Sequence, residues 1–406
     1  MGKLLKIIFS IMAAAILLLI IVAALLPSIV DPNDYKSEIE TAVKEYTGRL
    51  FTISGDLEFS VFPWLGLTTG KLSLSNPDSF EEAPFAEIEE ARIKVKVLPL
   101  LSKKIEVSSI LLERLSLNLV KNQEGIGNWG NLAGSKDAAG KVGGTFLAAL
   151  TVGDLVLEDA EIIWDDRKTG RRIEFKDIHL NADRFVLDEP FTINLSFSLR
   201  GNQPKFNEKV LLTTDVLIDQ KLERIELRHT EVETSIKGNG LPGGMPAANL
   251  TADIVYNRKL NRMDSDLRIN SGNLMIKAEL TGTNLNAKPL VKGPVEVGEF
   301  NAKQWMQELQ LDSPSLQDST SFEQVALRFD LTATTGAAVF EGIELTVDES
   351  AATGAVNIKD FDRPMIRFEL DVDEMNVDRY LPPTESAEIR SQQDKPLMPA
   401  IGTPST

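Results

Sequence analysis

Phe191-Thr192-Ile193-Asn194-Leu195-Ser196-Phe197-Ser198-Leu199 carries an apolar side chain at every odd position and a polar one at every even position. A period of two belongs to a β-strand, whose successive side chains point to opposite faces; a helix would group its apolar residues at i, i+3 and i+4. At 3.3–3.4 Å per residue the stretch is about 30 Å long, more than most strands reach. Phe191, Ile193, Leu195, Phe197 and Leu199 share one face, and the other is Thr, Asn and Ser. This is a sheet with one apolar and one solvated side.

The pattern extends in both directions. Leu115, Leu117 and Leu119 alternate with Ser116 and Asn118, and Ile162 with Trp164, Ile173 with Phe175 and Ile178 with Leu180 continue it. Further stretches follow at Leu267–Ile269, Leu274–Leu280, Val325–Leu331, Ile343–Val347 and Ile366–Val372. Ile110-Leu-Leu-Glu-Arg-Leu-Ser-Leu117 is echoed by Leu155-Val-Leu-Glu-Asp-Ala-Glu-Ile162, as stacked strand units would require. Helical spacing is confined to Asp34–Tyr46, with Ile39, Val43 and Tyr46 on one face and Gly48 as its C-terminal stop, and to short pieces at Ala302–Leu309 and Val377–Leu381. The expected fold is mainly β, with a short cap helix and an elongated, curled antiparallel sheet. Alternation alone fits both a closed sandwich core and an open apolar groove in which Phe191, Ile193, Leu195, Phe197 and Leu199 would face lipid.

Ahead of the sheet, Ile7 to Leu26 runs for twenty residues with Ser10 as its one polar side chain, after Lys3 and Lys6. A helix of that length is about 30 Å long, the hydrocarbon thickness of a bilayer. Ile7, Phe9, Ile16, Leu19, Ile21 and Leu26 are therefore expected to anchor the chain by a single pass. A cleavable signal peptide is the competing reading, but signal h-regions are shorter and no clear cleavage site follows. The expected division is 1–30 anchor, 31–135 cap helix and first β region, 136–383 continuing β region, and 384–406 linker-like tail. The bulk of the chain is expected on the far side of the membrane from its basic N-terminus.

Composition excludes several chemistries. The 406 residues include no cysteine and two histidines, which removes thiol nucleophiles, Cys-type zinc sites and disulfides. A net charge of −17 makes the chain a poor ligand for nucleic acid. Gly238-Asn-Gly-Leu-Pro-Gly243 has dinucleotide-loop spacing, but Pro242 and Pro246 prevent the helix such a loop needs. Asp371 to Asp378 resembles a calcium loop yet has Asn376 and Pro382 where glycine and a carboxylate are required. His179 falls on a polar strand face, and His229 shares the phase of Leu227 and is expected on the apolar one. No cofactor, metal or catalytic constellation is expected.

Short phrases throughout the chain resemble the AsmA family of inner-membrane-anchored periplasmic proteins of Gram-negative bacteria. They are Asp34-Tyr-Lys36, Thr47-Gly48-Arg49, Phe62-Pro63-Trp64-Leu-Gly66-Leu67, Leu72-Ser-Leu-Ser-Asn76-Pro77 and Leu98-Pro-Leu-Leu101. Gly125-Ile-Gly-Asn128-Trp129-Gly-Asn-Leu132, Phe300-Asn-Ala-Lys-Gln-Trp305, Val356-Asn-Ile-Lys-Asp-Phe361 and Asp378-Arg-Tyr380-Leu-Pro382-Pro383 complete the series. Gly48, Pro63, Trp64, Gly66, Asn128, Trp129, Tyr380 and Pro382 are structural words, not catalytic ones. The resemblance implies a role in outer-membrane biogenesis with phospholipid handled in an apolar β-groove. The alternative it implies is a non-enzymatic scaffold assisting outer-membrane protein assembly through strand addition. It further implies a β-rich region beyond Pro383, so a chain ending at Thr406 reads as a short or truncated member.

Overall fold

The computed structural model describes residues 31–60, 65–80, 83–96, 107–130, 153–202, 205–237, 248–308, 315–361 and 363–382. The expected anchor side chains, Pro63, Trp64, the segment 238–243 and the 384–406 tail lie outside these residues. Among the described residues no helix is long and apolar enough to cross a membrane.

A 3-10 turn (Pro32–Tyr35) leads into the cap helix Lys36–Thr47, which ends where sequence expects. Gly48 adopts φ 70°, and its N–H donates to the Lys44 carbonyl at 2.8 Å. The packed face differs from the expected one. Ile39 and Tyr46 are exposed, while Glu40 turns inward and its Oε1 accepts from the Ile53 N–H at 2.8 Å. Val43, of the expected stripe, is half-buried beside it, so the packed side mixes one apolar residue with a carboxylate that satisfies a strand amide.

Eight short strands come first: β1 (Phe51–Ile53), β2 (Leu57–Ser60), β3 (Leu65–Thr69), β4 (Leu72–Leu74), β5 (Ala86–Ile88), β6 (Glu90–Val95), β7 (Val107–Glu113) and β8 (Ser116–Lys121). They are the halves of four bent strands. β1–β4–β5–β8 form one ladder and β2–β3–β6–β7 a second, laid end to end. The breaks between halves line up as a crease. At its start a Cβ on Gly55 would lie 2.3 Å from the Gly70 Cα, so the two backbones touch where no side chain fits. The crease continues through Arg114, Asp159 and Asp177, with φ of 50°, 53° and 51°, as bulges that bend each strand.

Both ladders end on β9 (Asp154–Asp166), which pairs in parallel with β7 and then β8. Ile110 lies opposite Leu155 and Leu117 opposite Ile162, an offset of 45 residues. This is the spacing of the sequence echo, whose two copies thus lie side by side with matching bulges at Arg114 and Asp159. Among the described residues these are the parallel pairings in a sheet otherwise antiparallel, and β8 and β9 lie far enough apart in sequence for the crossover that a parallel pair needs.

Twelve strands then follow in sequence order: β10 (Arg171–Ala182), β11 (Phe191–Asn202), β12 (Lys205–Ile218), β13 (Arg224–Lys237), β14 (Ala248–Asn257), β15 (Arg262–Ser271), β16 (Leu274–Thr283), β17 (Leu290–Phe300), β18 (Val325–Ala333), β19 (Ala337–Val347), β20 (Ser350–Lys359) and β21 (Met365–Val372). Each pairs antiparallel with its neighbours in the chain. No pairing brings β21 back to an earlier strand among the described residues, so the sheet is open. It is large and uncurled where the sequence reading expected a curl; alternation fixes which face is apolar but carries no information on how a ladder bends. A short helix (Ala302–Glu308) follows β17 and a 3-10 turn (Val377–Tyr380) follows β21.

Compact burial is concentrated at the beginning, in Ile53, Leu57, Phe85 and Ala91. Among the described residues of the long strands the buried apolar ones are Ala160, Ile178, Val216, Ala252, Ala338 and Ile343, half of them alanine. A two-layer sandwich would bury the large side chains of an entire inner face.

Candidate functional site: the open apolar face

Register builds the site. Leu157 of β9 lies opposite Leu180, Leu180 opposite Leu195, Leu195 opposite Leu212, and Leu212 opposite Val232. The row passes through Leu250, Ile269, Ile276, Val297, Leu327, Leu345 and Ala352 to Val372 of β21. Thirteen consecutive strands thus place an apolar residue directly opposite the next, without a break. At 4.7–4.9 Å between strands the row spans about 58 Å. Its members are half-buried, except that Val372 is exposed. They touch their neighbours along the sheet and keep an open side.

The five residues expected to face lipid all lie on this face. Phe191, Ile193, Leu195, Phe197 and Leu199 are half-buried, and they meet Val216, Thr214, Leu212, Val210 and Glu208 across the ladder. Phe197 also packs on Phe175, ring centroids 5.6 Å apart. The contributions of Val210, Leu212, Val232 and Leu250 escaped the sequence reading. In β12 the reason is Leu211, an apolar residue on the other face that hides the alternation; it is 40% exposed.

Glu208 interrupts the face. It stands opposite Leu199, with Phe206 and Val210 two positions to either side on its own strand. Burial pushes its carboxyl above the ordinary range. Because the folded value is raised, ionisation at neutral pH works against folding, and that penalty fades as pH falls through the folded value. Glu208→Leu is therefore expected to stabilise the protein by about 1 kcal/mol at pH 7. Melts at pH 7 and pH 4 check this: the gain should shrink at the lower pH.

The opposite face is polar, with ion pairs along the strands such as Arg262–Asp264 at 2.7 Å and Arg224–Glu226 at 2.6 Å. A shallow hollow of about 520 Å³ lies there, lined in part by His179, Asn194, Ser196, Thr213 and Glu231. Asp159, His179 and Ser196 stand in one row: His179 Nε2 is 3.4 Å from Asp159, and Ser196 is its register partner on β11. No hydrogen bond joins Ser196 to His179, and the His–Asp pair is more than half exposed, so the row lacks the nucleophile–base link of a triad. His229 does not face the apolar side. It occupies a bulge at φ 49°, which takes it out of phase with Leu227, and it is 80% exposed beside Asp215 at 3.2 Å. Asp371 and Asp373 sit at the exposed end of β21, where Asp373 accepts from the Ala351 N–H at 2.9 Å.

The structural words converge on two knots. Asn128, with no exposed surface, accepts from the Val120 N–H at 3.0 Å and donates from Nδ2 to Asn76 Oδ1 and the Asn118 carbonyl, both at 2.8 Å. Its own carbonyl accepts from Arg49, whose guanidinium lies 4.6 Å above the Phe85 ring. Three phrases far apart in sequence (Gly48-Arg49, Asn76 and Asn128) thereby lock the cap to the first strands. Trp129, next in the chain, is exposed, and Gly66 lies away from the knot, in β3 opposite Lys94 of β6. In the second knot Tyr380 Oη donates to Asp348 at 2.9 Å, Arg379 pairs with Asp318 at 2.7 Å, and the buried Ser321 hydroxyl donates to the Arg379 carbonyl at 3.0 Å. Burial works to raise the Asp348 carboxyl, but donation from three backbone amides and Tyr380 holds it below the usual range. Pro382 follows, exposed, at the end of the described chain.

A helix-capped, single-layered sheet of serial hairpins, with an unbroken apolar row across thirteen strands of one face, defines an elongated β-sheet protein of open architecture. The AsmA family model matches residues 1–397, and the chain belongs to that family. Over 98 residues it is 29% identical to Protein AsmA of Escherichia coli (strain K12), a stretch covering 24% of this chain and 16% of that protein.

Proposed function

We propose that the protein is an envelope protein, anchored in the bacterial inner membrane with its sheet in the periplasm, that handles phospholipid along the open apolar face. The reading assigns it no reaction. Family membership points to outer-membrane assembly or lipid transport as the broad role. The observation that favours lipid is the unbroken row from Leu157 to Val372 with its open side. Half of a 30 Å hydrocarbon core, one leaflet, is about 15 Å deep. A face of about 58 Å therefore offers room for several acyl chains in succession.

The test uses the full chain purified from membranes with photo-crosslinking residues at Leu195 and Phe197. Co-purifying phospholipid and lipid adducts at both positions are the expected result. Absence of both would overturn the reading.

A further inference from the structure

The free edge of β21 carries an inference beyond lipid handling. β21 reads Met365-Ile-Arg-Phe-Glu-Leu-Asp-Val372, alternating strictly from Ile366 onward without glycine or bulge. Every residue in it is exposed; Phe368 reaches 71% and Ile366 59%. Among the described residues it pairs with β20 alone. The described residues after β21, 373–382, do not cover that edge: they turn back to the second knot, where the Gln317 N–H donates to the Leu381 carbonyl at 2.8 Å. Natural edge strands are commonly blunted by inward charges, prolines or bulges, and none of these interrupts Met365–Val372.

We propose that this edge pairs with β21 of a second copy of the chain, antiparallel about a two-fold axis through Phe368. Pairing that keeps the apolar face continuous must set odd with odd and even with even positions, because facing residues share a side. Centring on Glu369 sets that carboxylate against itself, and centring on Leu370 sets Glu369 against Asp371. Centring on Arg367 opposes two guanidinium groups. Centring on Phe368 stacks the two rings, sets Ile366 opposite Leu370, and places Arg367 opposite the partner's Glu369 twice over. It is the register of these four with no like charges opposed, and cross-strand pairs of these kinds stabilise sheets. The apolar row of one copy then runs into that of the other.

The absence of cysteine makes the test clean. The full chain in its native membrane, carrying Phe368→Cys, is treated with copper–phenanthroline and run without reductant. A dimer band is expected for Phe368→Cys, and for a co-expressed mixture of Ile366→Cys and Leu370→Cys, with far less for either of the latter alone. Arg367→Glu should lower dimer yield about tenfold, and adding Glu369→Arg should restore it. No dimer at position 368, or equal crosslinking at 366, 368 and 370, would overturn the proposal. Crosslinking that survives Arg367→Glu unchanged would overturn it too. Lipid content plays no part in this readout, so it stands or falls apart from the lipid reading.

Discussion

Asn128→Ala is expected to destabilise the first β region by about 3 kcal/mol. The substitution leaves the Val120 amide, the Asn118 carbonyl and Asn76 Oδ1 without the partners they have in the native fold, at a site with no solvent access. Each buried group so stranded costs about 1 kcal/mol or more. The Arg49 bond is to the backbone carbonyl of residue 128 and is not itself removed, but Arg49 Nε and Nη1 lack hydrogen-bond partners, so that carbonyl and the Phe85 ring are what hold the guanidinium. Hydrogen exchange of Asn118, Val120 and Asn128 amides, with a thermal melt alongside, checks the prediction. Asn128→Asp is the sharper variant: it keeps the size, replaces the Nδ2 donor by an acceptor, and sets that oxygen against two others. It should cost as much as alanine. A melt unchanged by both would show that the knot is incidental to stability.

Placing two carboxylates on the apolar face, by Leu195→Glu with Phe197→Glu, is expected to remove most bound phospholipid. An acyl chain crossing these positions loses contact for two or three methylenes, about 2 kcal/mol. This corresponds to about thirtyfold in occupancy. The control uses the residues that follow each of them in sequence. Ser196→Glu with Ser198→Glu adds the same charge to the other face and should leave lipid content unchanged. Phospholipid per mole of purified protein is the measurement. Equal loss in both variants would mean that charge or unfolding, not the face, decides retention.

Much of this architecture is legible in the residues. The alternation at Phe191–Leu199 identifies the apolar face, Gly48 marks the helix end, and the echo at 110 and 155 becomes a pair of adjacent strands in register. What stayed hidden depends on partners distant in the chain. Asn128 reads as a structural word that closes a glycine-rich loop, but its partners Asn76 and Asn118 do not show until the fold brings them beside it. His229 follows the phase of Leu227 until a single left-handed residue shifts it. The crease at Gly55 and Gly70 shows only as two ordinary glycines, because its meaning is that two backbones meet. Of the helix stripe Ile39, Val43 and Tyr46 only Val43 is half-buried, and the inward turn of Glu40 toward the Ile53 amide has no signal in the helix's own sequence.

The serial pairing of β9 through β21 has a consequence for how the molecule comes apart and how it is assembled. Each strand's extensive contacts are with its hydrogen-bonded neighbours, so cohesion here is a sum over adjacent pairs, as in repeat proteins. Such a ladder has no central keystone. It can grow strand by strand as the chain emerges, each hairpin finding its template already in place, and it can fray from β21 inward while the knotted beginning holds. Length then becomes an adjustable quantity: inserting or deleting one hairpin changes the reach of the apolar face by about 10 Å and leaves the remaining strands with the neighbours they need.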